Sequence, residues 1–491
     1  MSPTNRREFL SWSALGVAAL AASRLDALAL RPVSHEQAAA RKKVIVVGAG
    51  LAGLVATYEL IQAGHDVTLL EASTRSGGRV RTLREPFSDG LYAEAGAGRI
   101  PETHNFTLKY VKLFGLTLDP FYPNADASLY CIRGKRMKVG PGETLDLSAL
   151  PFDLTQEERR LGLDGLEAKY VDPVLKDLGN PGDPGWPPAR LIKYDQMSWP
   201  EFLRRQGASP GAVELLTALS GWDNDSALDF LRDDLGHRGA KHLTKIRGGN
   251  DLLPRAFAAR LAEKIRYGSP VTRIEQDARG VRAVCSGPGS PQTHFAHRMI
   301  CAIPFSCLKQ VAVVPRFSPE KHAAIQQLYY DPVVRVYCQT RRKFWIDEGL
   351  NGFADTDHPM EIWNPTFNQP GSETSGRGIL MAYLEDGLTL RVAAMPEAER
   401  VRFGIEAIEK AHPRLREFLE GATSVCWGEQ PWARGAYPIF GPGQVTSLTA
   451  AIRQPEGRVH FAGDHASSWP GWMQGALESG LRAAREVHEA A

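Results

Sequence analysis

The chain has 491 residues, 43% of them hydrophobic and 23% charged, and a formal net charge of +2 at pH 7. This is an ordinary globular composition with room for roughly two or three domains and a large core. No basic run is longer than three residues, so there is neither a phosphate-backbone footprint nor a polybasic membrane patch, and nucleic acid is set aside as a partner.

Residues 1–40 read as a leader. Asn5-Arg6-Arg7-Glu8-Phe9-Leu10, an apolar stretch over 14–22 and Ala27-Leu28-Ala29 resemble a twin-arginine export signal with a small-x-small cleavage site. The apolar stretch is too short and too rich in alanine to span a bilayer. The expectation is a periplasmic or secreted protein without a stable membrane anchor, or a cytoplasmic one if the leader is not used. Next comes Val44-Ile45-Val46-Val47, a β-branched, uninterrupted run suited to a strand buried on both faces of a parallel sheet. In Gly48-Ala49-Gly50-Leu51-Ala52-Gly53, Gly48 permits the tight turn, Gly50 lets a pyrophosphate approach the backbone and Gly53 lets the helix pack on the strand. That helix carries Leu51, Leu54, Val55, Tyr58 and Ile61 at helical spacing and stops at Ala63-Gly64. Val67 to Leu70 is the second strand. Glu71 lies 23 positions after Gly48, where a carboxylate accepts hydrogen bonds from the two hydroxyls of an adenosine ribose, and an acid there disfavours NADP.

Ser76-Gly77-Gly78-Arg79-Val80-Arg81 begins four residues after the acid, and here the sequence resembles the flavin-dependent amine oxidase family. The resemblance implies FAD, with Gly78 and Arg79 along its pyrophosphate. Gly96-Ala97-Gly98-Arg99-Ile100-Pro101-Glu102-Thr103-His104 is similar to the corresponding stretch of the L-amino acid oxidases within that family. That similarity implies that Arg99 binds the substrate carboxylate and that Gly98 and Arg99 border the cofactor. The small residues from Leu91 to Pro101 let backbone pass close to something flat. Residues 107–114 read as a helix. From 144 to 240 the pattern is helical and polar, with an N-terminal signal at Thr155-Gln156-Glu157-Glu158, a capping box at Ser198-Trp199-Pro200-Glu201 and a loop over 179–185.

Gly248-Gly249 lead into a helix expected to end near Arg266, followed by strands at 270–274, 280–284 and 298–304. The resemblance sets the backbone of Val271 against the adenine. Strands are expected at 333–340 and 378–384. Within them, Arg335 matches the position where many members hold a water over flavin N5 with a lysine, and Tyr383 matches a tyrosine that touches the substrate carboxylate. Phe344, Trp345, Trp427, Trp432 and Tyr437 are either core or pocket aromatics. Gly457 to Ala476 resembles the C-terminal FAD motif. Gly463 and Asp464 would meet the pyrophosphate or ribityl chain, Gly471 and Trp472 would line the pocket beside the isoalloxazine, and Met473 would open a helix running to Ala484 whose N-terminus faces the pyrimidine end. Counting back from Arg453 puts Phe440 near the cysteine of covalent members, so FAD is expected to be non-covalent.

The fold expected is α/β: a discontinuous Rossmann-like FAD-binding domain (41–100, 241–316, 446–491), a mixed-sheet substrate domain (101–143, 317–445) and a helical insertion (144–240). The resemblance implies oxidation of L-amino acids to 2-oxo acid, ammonia and hydrogen peroxide, and the several aromatics expected near the pocket suggest large apolar or aromatic side chains. Its partners are then the amino acid and O2, with a homodimer as the assembly to test for. An amine or polyamine oxidase, an L-amino acid 2-monooxygenase and a non-catalytic flavin-binding protein are the alternatives. Cys131, Cys285, Cys301, Cys307, Cys338 and Cys426 form no CxxC pair and no metal-spaced cluster, which predicts buried thiols and neither a disulfide framework nor a metal site.

Overall fold

Alternation along the first strand divides the interior. A computed structural model describes residues 41–122, 126–221, 223–238, 240, 242–287, 291–357, 360–369, 376–385 and 387–490; the leader read at 1–40 lies outside them. Lys43–Val47 is the middle strand of a five-stranded parallel sheet ordered Ile265–Arg266, Asp66–Leu70, Lys43–Val47, Arg298–Cys301, Val459–Phe461. Val44 and Val46 share a core with Leu54, Val55, Leu481 and Ala484 of the helices Leu51–Gln62 and Met473–Glu489. Ile45 and Val47 share another core with Met299, Phe305 and Phe461. Burial on both faces is the reason the run is apolar without alternation.

Two readings of the middle segment change. The helix after Gly248-Gly249 is Leu252–Arg260 and does not continue to Arg266. Instead Ile265–Arg266 pairs with Leu69 and Leu70 as the edge of the parallel sheet, and the pairing overrides local helical pattern. A strand not read from the sequence, Gln292–Ala296, joins Val271–Gln276, Val281–Cys285 and Ala312–Val314 in a four-stranded sheet. The last helix, Met473–Glu489, also runs past Ala484.

A seven-stranded sheet forms the other half, in the order Leu419–Cys426, Val334–Thr340, Gly378–Leu384, Met360–Trp363, Leu350–Thr356, Ala127–Ile132, Lys135–Val139. All its pairs are antiparallel except Leu350–Thr356 with Ala127–Ile132. Val334, Val336, Leu380 and Ala382 point to a core that also holds Ile408, Phe344 and Trp345. Gly404 lets the helix Glu397–Ala411 lie directly on this face, since a Cβ there would fall 2.4 Å from Val336 Cβ. The opposite face carries Arg335, Tyr337, Tyr383 and Trp363.

The described residues of 144–240 form mainly helices on either side of the loop at 179–185. Thr155 and Glu158 form a reciprocal capping box, with Thr155 N donating to Glu158 Oε2 at 2.8 Å. Ser198 begins the helix Trp199–Arg205 without one: its side chain makes no cap hydrogen bond, and Glu201 is drawn to Arg205 at 2.6 Å. All six cysteines are free thiols, five of them buried and Cys307 half-buried. No helix among the described residues is long and apolar enough to cross a membrane.

The two helices that cover the parallel sheet touch backbone to backbone. A Cβ on Gly480 would sit 2.4 Å from Ala52 O and 2.5 Å from Val55 Cγ1. Overpacking of this kind costs about 1–3 kcal/mol, more than the roughly 0.5–1 kcal/mol that alanine gains over glycine within a helix. Gly480→Ala therefore lowers Tm by a few degrees, whereas Gly421→Ala, in a strand where a Cβ meets nothing within 4 Å, keeps it the same or raises it slightly; thermal unfolding of the two variants side by side checks this.

Candidate active site

A cavity of about 950 Å³ runs from the parallel sheet to the open face of the seven-stranded sheet. At its first end lies the glycine turn. Gly48 has φ +100° and a Cβ there would press on Ile303 Cγ2 at 3.0 Å and Ala302 O at 3.1 Å, so only glycine fits. Gly50 borders the cavity, and a Cβ on it would meet nothing within 4 Å, leaving the room a phosphate needs. Gly53 does not line the cavity; its Cβ would lie 1.9 Å from Gly48 O, which is the packing task read for it. The helix behind the turn has no side-chain cap, so its first amides remain available to an anion. Glu71 is held by two backbone amides, accepting from Ala49 N at 2.6 Å and Ser73 N at 2.8 Å. Gly78 and Val271 border the same end.

The middle of the cavity is organised by an ion pair between half-buried Arg79 and buried Asp464. Arg79 forks onto Asp464, with Nη1 3.1 Å from Oδ2 and Nη2 on Oδ1, and Nη1 also donates to Ala436 O at 2.7 Å. Burial alone would raise the Asp464 pKa, but Arg79 and the Gly471 amide, 3.2 Å from Oδ2, hold it below the usual carboxylate range. Gly463 precedes it at φ +134°, and Gly471, Trp472 and Met473 follow along the wall. Trp472 Nε1 donates to Asp233 Oδ1 at 2.7 Å, and its ring stands edge-on to His104.

The far end is built by register. Arg335 faces Tyr383, Tyr383 faces Glu361, Glu361 faces Asp355 and Asp355 faces Tyr130 in successive strand pairs. Directly opposed residues project from one face, and Arg335, Tyr383, Glu361 and Asp355 all line the cavity. Arg335 is 5% exposed; Nη1 donates to Glu94 O at 2.9 Å and to Gly96 O, and the guanidinium lies 4.5 Å from the Tyr383 ring centroid. Arg99 reaches the row from the other side, 3.4 Å from Glu361 Oε2 and 4.9 Å from the Trp363 ring centroid. Burial opposes its charge, yet Glu361 more than compensates and its pKa is raised. The flat object met by the small-residue stretch is in part this indole: a Cβ on Gly98 would lie 2.9 Å from Trp363 Cζ3. Tyr437 Oη donates to Glu385 Oε2 at 2.6 Å and lies 3.5 Å from Tyr383 Oη. Burial, then Glu361, push Glu385 up to about 7. Asp355 is likewise pushed to about 7 by burial and then by Glu361 across the strand pair, with Arg99 opposing.

Some readings are redrawn by this geometry. Phe440 does not reach the cavity: it is 1% exposed, under the Arg232 guanidinium, and its amide donates to Asp229, while Tyr437 and Pro438 line the wall. Counting back from Arg453 stopped two residues short of Pro438, where the cavity wall begins. Cys307 is the one cysteine of the six that lines the cavity. Trp427 is both buried, tied to Ala95 O at 2.7 Å, and part of the cavity lining, whereas Trp432 lines it half exposed. Sequence reasoning missed Trp363, Glu361, Asp355 and Glu385. Their strands are short or lack clean alternation, and only the pairing register brings them together.

Residues 51–488 match the family model of flavin containing amine oxidoreductases. The chain belongs to this family. Among its curated relatives are the protein YobN of Bacillus subtilis (strain 168), 34% identical over 91% of this chain and 95% of that one, and the L-amino-acid oxidase of Vipera ammodytes ammodytes, 31% identical over 91% of this chain and 93% of that one. The solved structure of cyclohexylamine oxidase from Brevibacterium oxydans IH-35A superposes with a TM-score of 0.77 at 24% identity, covering 91% of this chain and 99% of that one. Putrescine oxidase bound to putrescine gives 0.77 at 21% identity, covering 91% and 99%. These likenesses show that the fold is that of the amine oxidases. As a member of this family the protein is a flavin oxidoreductase, and an open glycine turn, uncapped helix and anchored acid suit a dinucleotide flavin.

The carboxylates predict how this flavoprotein binds anions. Asp355, faced by Glu361, Arg99 and Tyr130, and Glu385, faced by Tyr437, Tyr383 and Glu361, both lose protons as pH rises through about 7. Each loss adds a negative charge around Arg99. Benzoate, followed through the flavin absorbance, is expected to bind more weakly at pH 8 than at pH 6; equal affinity at both would show that these groups do not titrate there.

Proposed function

We propose that the protein is an FAD-dependent oxidase of L-α-amino acids, forming 2-oxo acid, ammonia and hydrogen peroxide, with FAD held non-covalently. The observation that carries this reading is Arg99: a half-buried guanidinium at the end of the cavity away from the nucleotide turn, stacked on Trp363 and bordered by Tyr383. A simple amine offers such a group nothing, whereas a substrate carboxylate gains a charged, planar partner. The relatives named L-amino-acid oxidase support the same substrate class. The twin-arginine-like leader supports export to the periplasm or outside the cell.

When bound, the flavin would take the hydride of the substrate Cα–H bond, leaving an imino acid that water hydrolyses to 2-oxo acid and ammonia, and would pass the two electrons to O2 to give hydrogen peroxide. Gly50, Glu71, Arg79 and Asp464 would hold it along the nucleotide and pyrophosphate. Arg99 would take the α-carboxylate, with Glu361 moving off its fork. Tyr383 and Tyr437 lead from the same place to Glu385, whose pKa of about 7 suits it to accept the ammonium proton of the incoming substrate. Arg335 cannot act as a base, since a guanidinium stays protonated. Its hydrogen bonds to Glu94 O and Gly96 O instead brace the stretch that carries Arg99. Trp363 and Trp472 form the walls that exclude water and pack on a long side chain.

Two measurements test the proposal. L-Amino acids should bleach the flavin anaerobically while D-amino acids and decarboxylated amines do not, and Arg99→Ala should cut kcat/KM for L-amino acids by at least about a hundredfold. If the variant loses its flavin, Arg99 serves the cofactor or the fold and the substrate class loses its main support. For the cofactor, acid precipitation should release all the yellow colour into the supernatant; colour left on the chain would instead indicate a tether, with Cys307 the first thiol to examine.

A further inference from the structure

The far end of the cavity holds more negative charge than its basic groups balance. Arg335 spends Nη1 on backbone carbonyls, and Arg99 makes its ion pair with Glu361. Asp355 lies one strand further on, directly opposite Glu361 and roughly 4.8 Å away in strand spacing. It lines the cavity and shares a hydrogen bond with Tyr130, but among the described residues no ion pair joins it to a basic group. A carboxylate in a recess, facing a second carboxylate, is costly to keep ionised unless a cation meets it. The protein supplies none at this point, although Arg99 tempers the field.

Resting on the proposed amino acid oxidase reading, we infer that Asp355 determines side-chain specificity by receiving the cationic end of the substrate, so that the preferred substrates are L-amino acids ending in ammonium or guanidinium. The placement follows the row. With the α-carboxylate on Arg99 beside Glu361, a side chain that runs along the sheet crosses one strand to reach Asp355. Its methylenes lie against Trp363 and the aromatic wall, and its charge replaces the missing counter-ion. This departs from the large apolar substrates expected from sequence: aromatic walls suit the stem of a long side chain, and the carboxylate selects its tip. The pKa of Asp355 near 7 agrees with a group whose cation arrives with the ligand.

The test uses near-isosteric pairs on the holoenzyme: L-lysine against L-norleucine, and L-arginine against L-citrulline. Wild type should favour the charged member of each pair by at least about tenfold in kcat/KM at pH 8. Asp355→Asn should collapse that ratio towards one and Asp355→Glu should keep most of it, a pattern that general damage to the site would not produce. Norleucine equal to or better than lysine in wild type overturns the inference while leaving the amino acid oxidase reading intact, and so does an unchanged ratio in Asp355→Asn. Should no L-amino acid reduce the flavin while cadaverine does, both fall together. If Asp355→Asn does not fold, the wild-type ratios alone decide.

Discussion

The Arg79–Asp464 pair is the point on which the site's geometry depends. Its two residues are 385 positions apart, and the fork also takes Ala436 O while the carboxylate takes the Gly471 amide. One interaction thus fixes the glycine-rich turn, the segment before Tyr437, and the turn that presents Trp472 and the N-terminus of Met473–Glu489. Asp464 is buried and Arg79 partly so, and removing either leaves a charge without its counter-ion, worth up to about 3–5 kcal/mol where the pair is fully buried. Replacing both with apolar groups would cost the fold far less, but the wall of the cavity would lose the hydrogen bonds that set its shape. The pair is better understood as a specification of the site than as a source of stability.

Charge in the cavity changes from one end to the other. Around the glycine turn the available groups are backbone amides and uncapped helix ends, which suit phosphate. At the open face of the seven-stranded sheet the groups are carboxylates and tyrosines around one arginine. The protein achieves this with two sheets of different kinds. The parallel sheet is apolar on both faces and offers only its strand ends to a ligand. The antiparallel one is apolar on the face beneath Glu397–Ala411 and free to place polar side chains on the other.

This difference also decides what could be read from the chain. The first strand, the glycine turn, its helix, the second strand and Glu71 are consecutive in sequence, and each has a local requirement: tight turn, close approach, β-branched burial. Such features are legible because the physics that selects them acts within about thirty residues. Arg99, Tyr383 and Arg335 could be singled out only through family resemblance, since a buried arginine or tyrosine has no local signature. The edge strand Ile265–Arg266 was hidden because two residues carry no period; its partner, Asp66–Leu70, lies about two hundred positions earlier. Ser198 shows the converse error, a capping pattern whose glutamate found a better partner four residues on.

The acidic row shows the limit most clearly. Glu361 follows Met360 in a four-residue strand and Asp355 sits in Leu350–Thr356, where apolar and polar residues do not alternate cleanly. Neither segment announces a site. Their meaning comes from register: a shift of one residue in either strand would turn the carboxylate towards the helix-covered core, where Ala354 and Ile362 now lie. Burying a charge there would be prohibitive, so the apolar residues that flank each acid are what hold it in the cavity. The chemistry of the far wall is therefore written in Ala354, Ile362, Ala382 and Val334, residues that do not line the cavity but fix which side chains do.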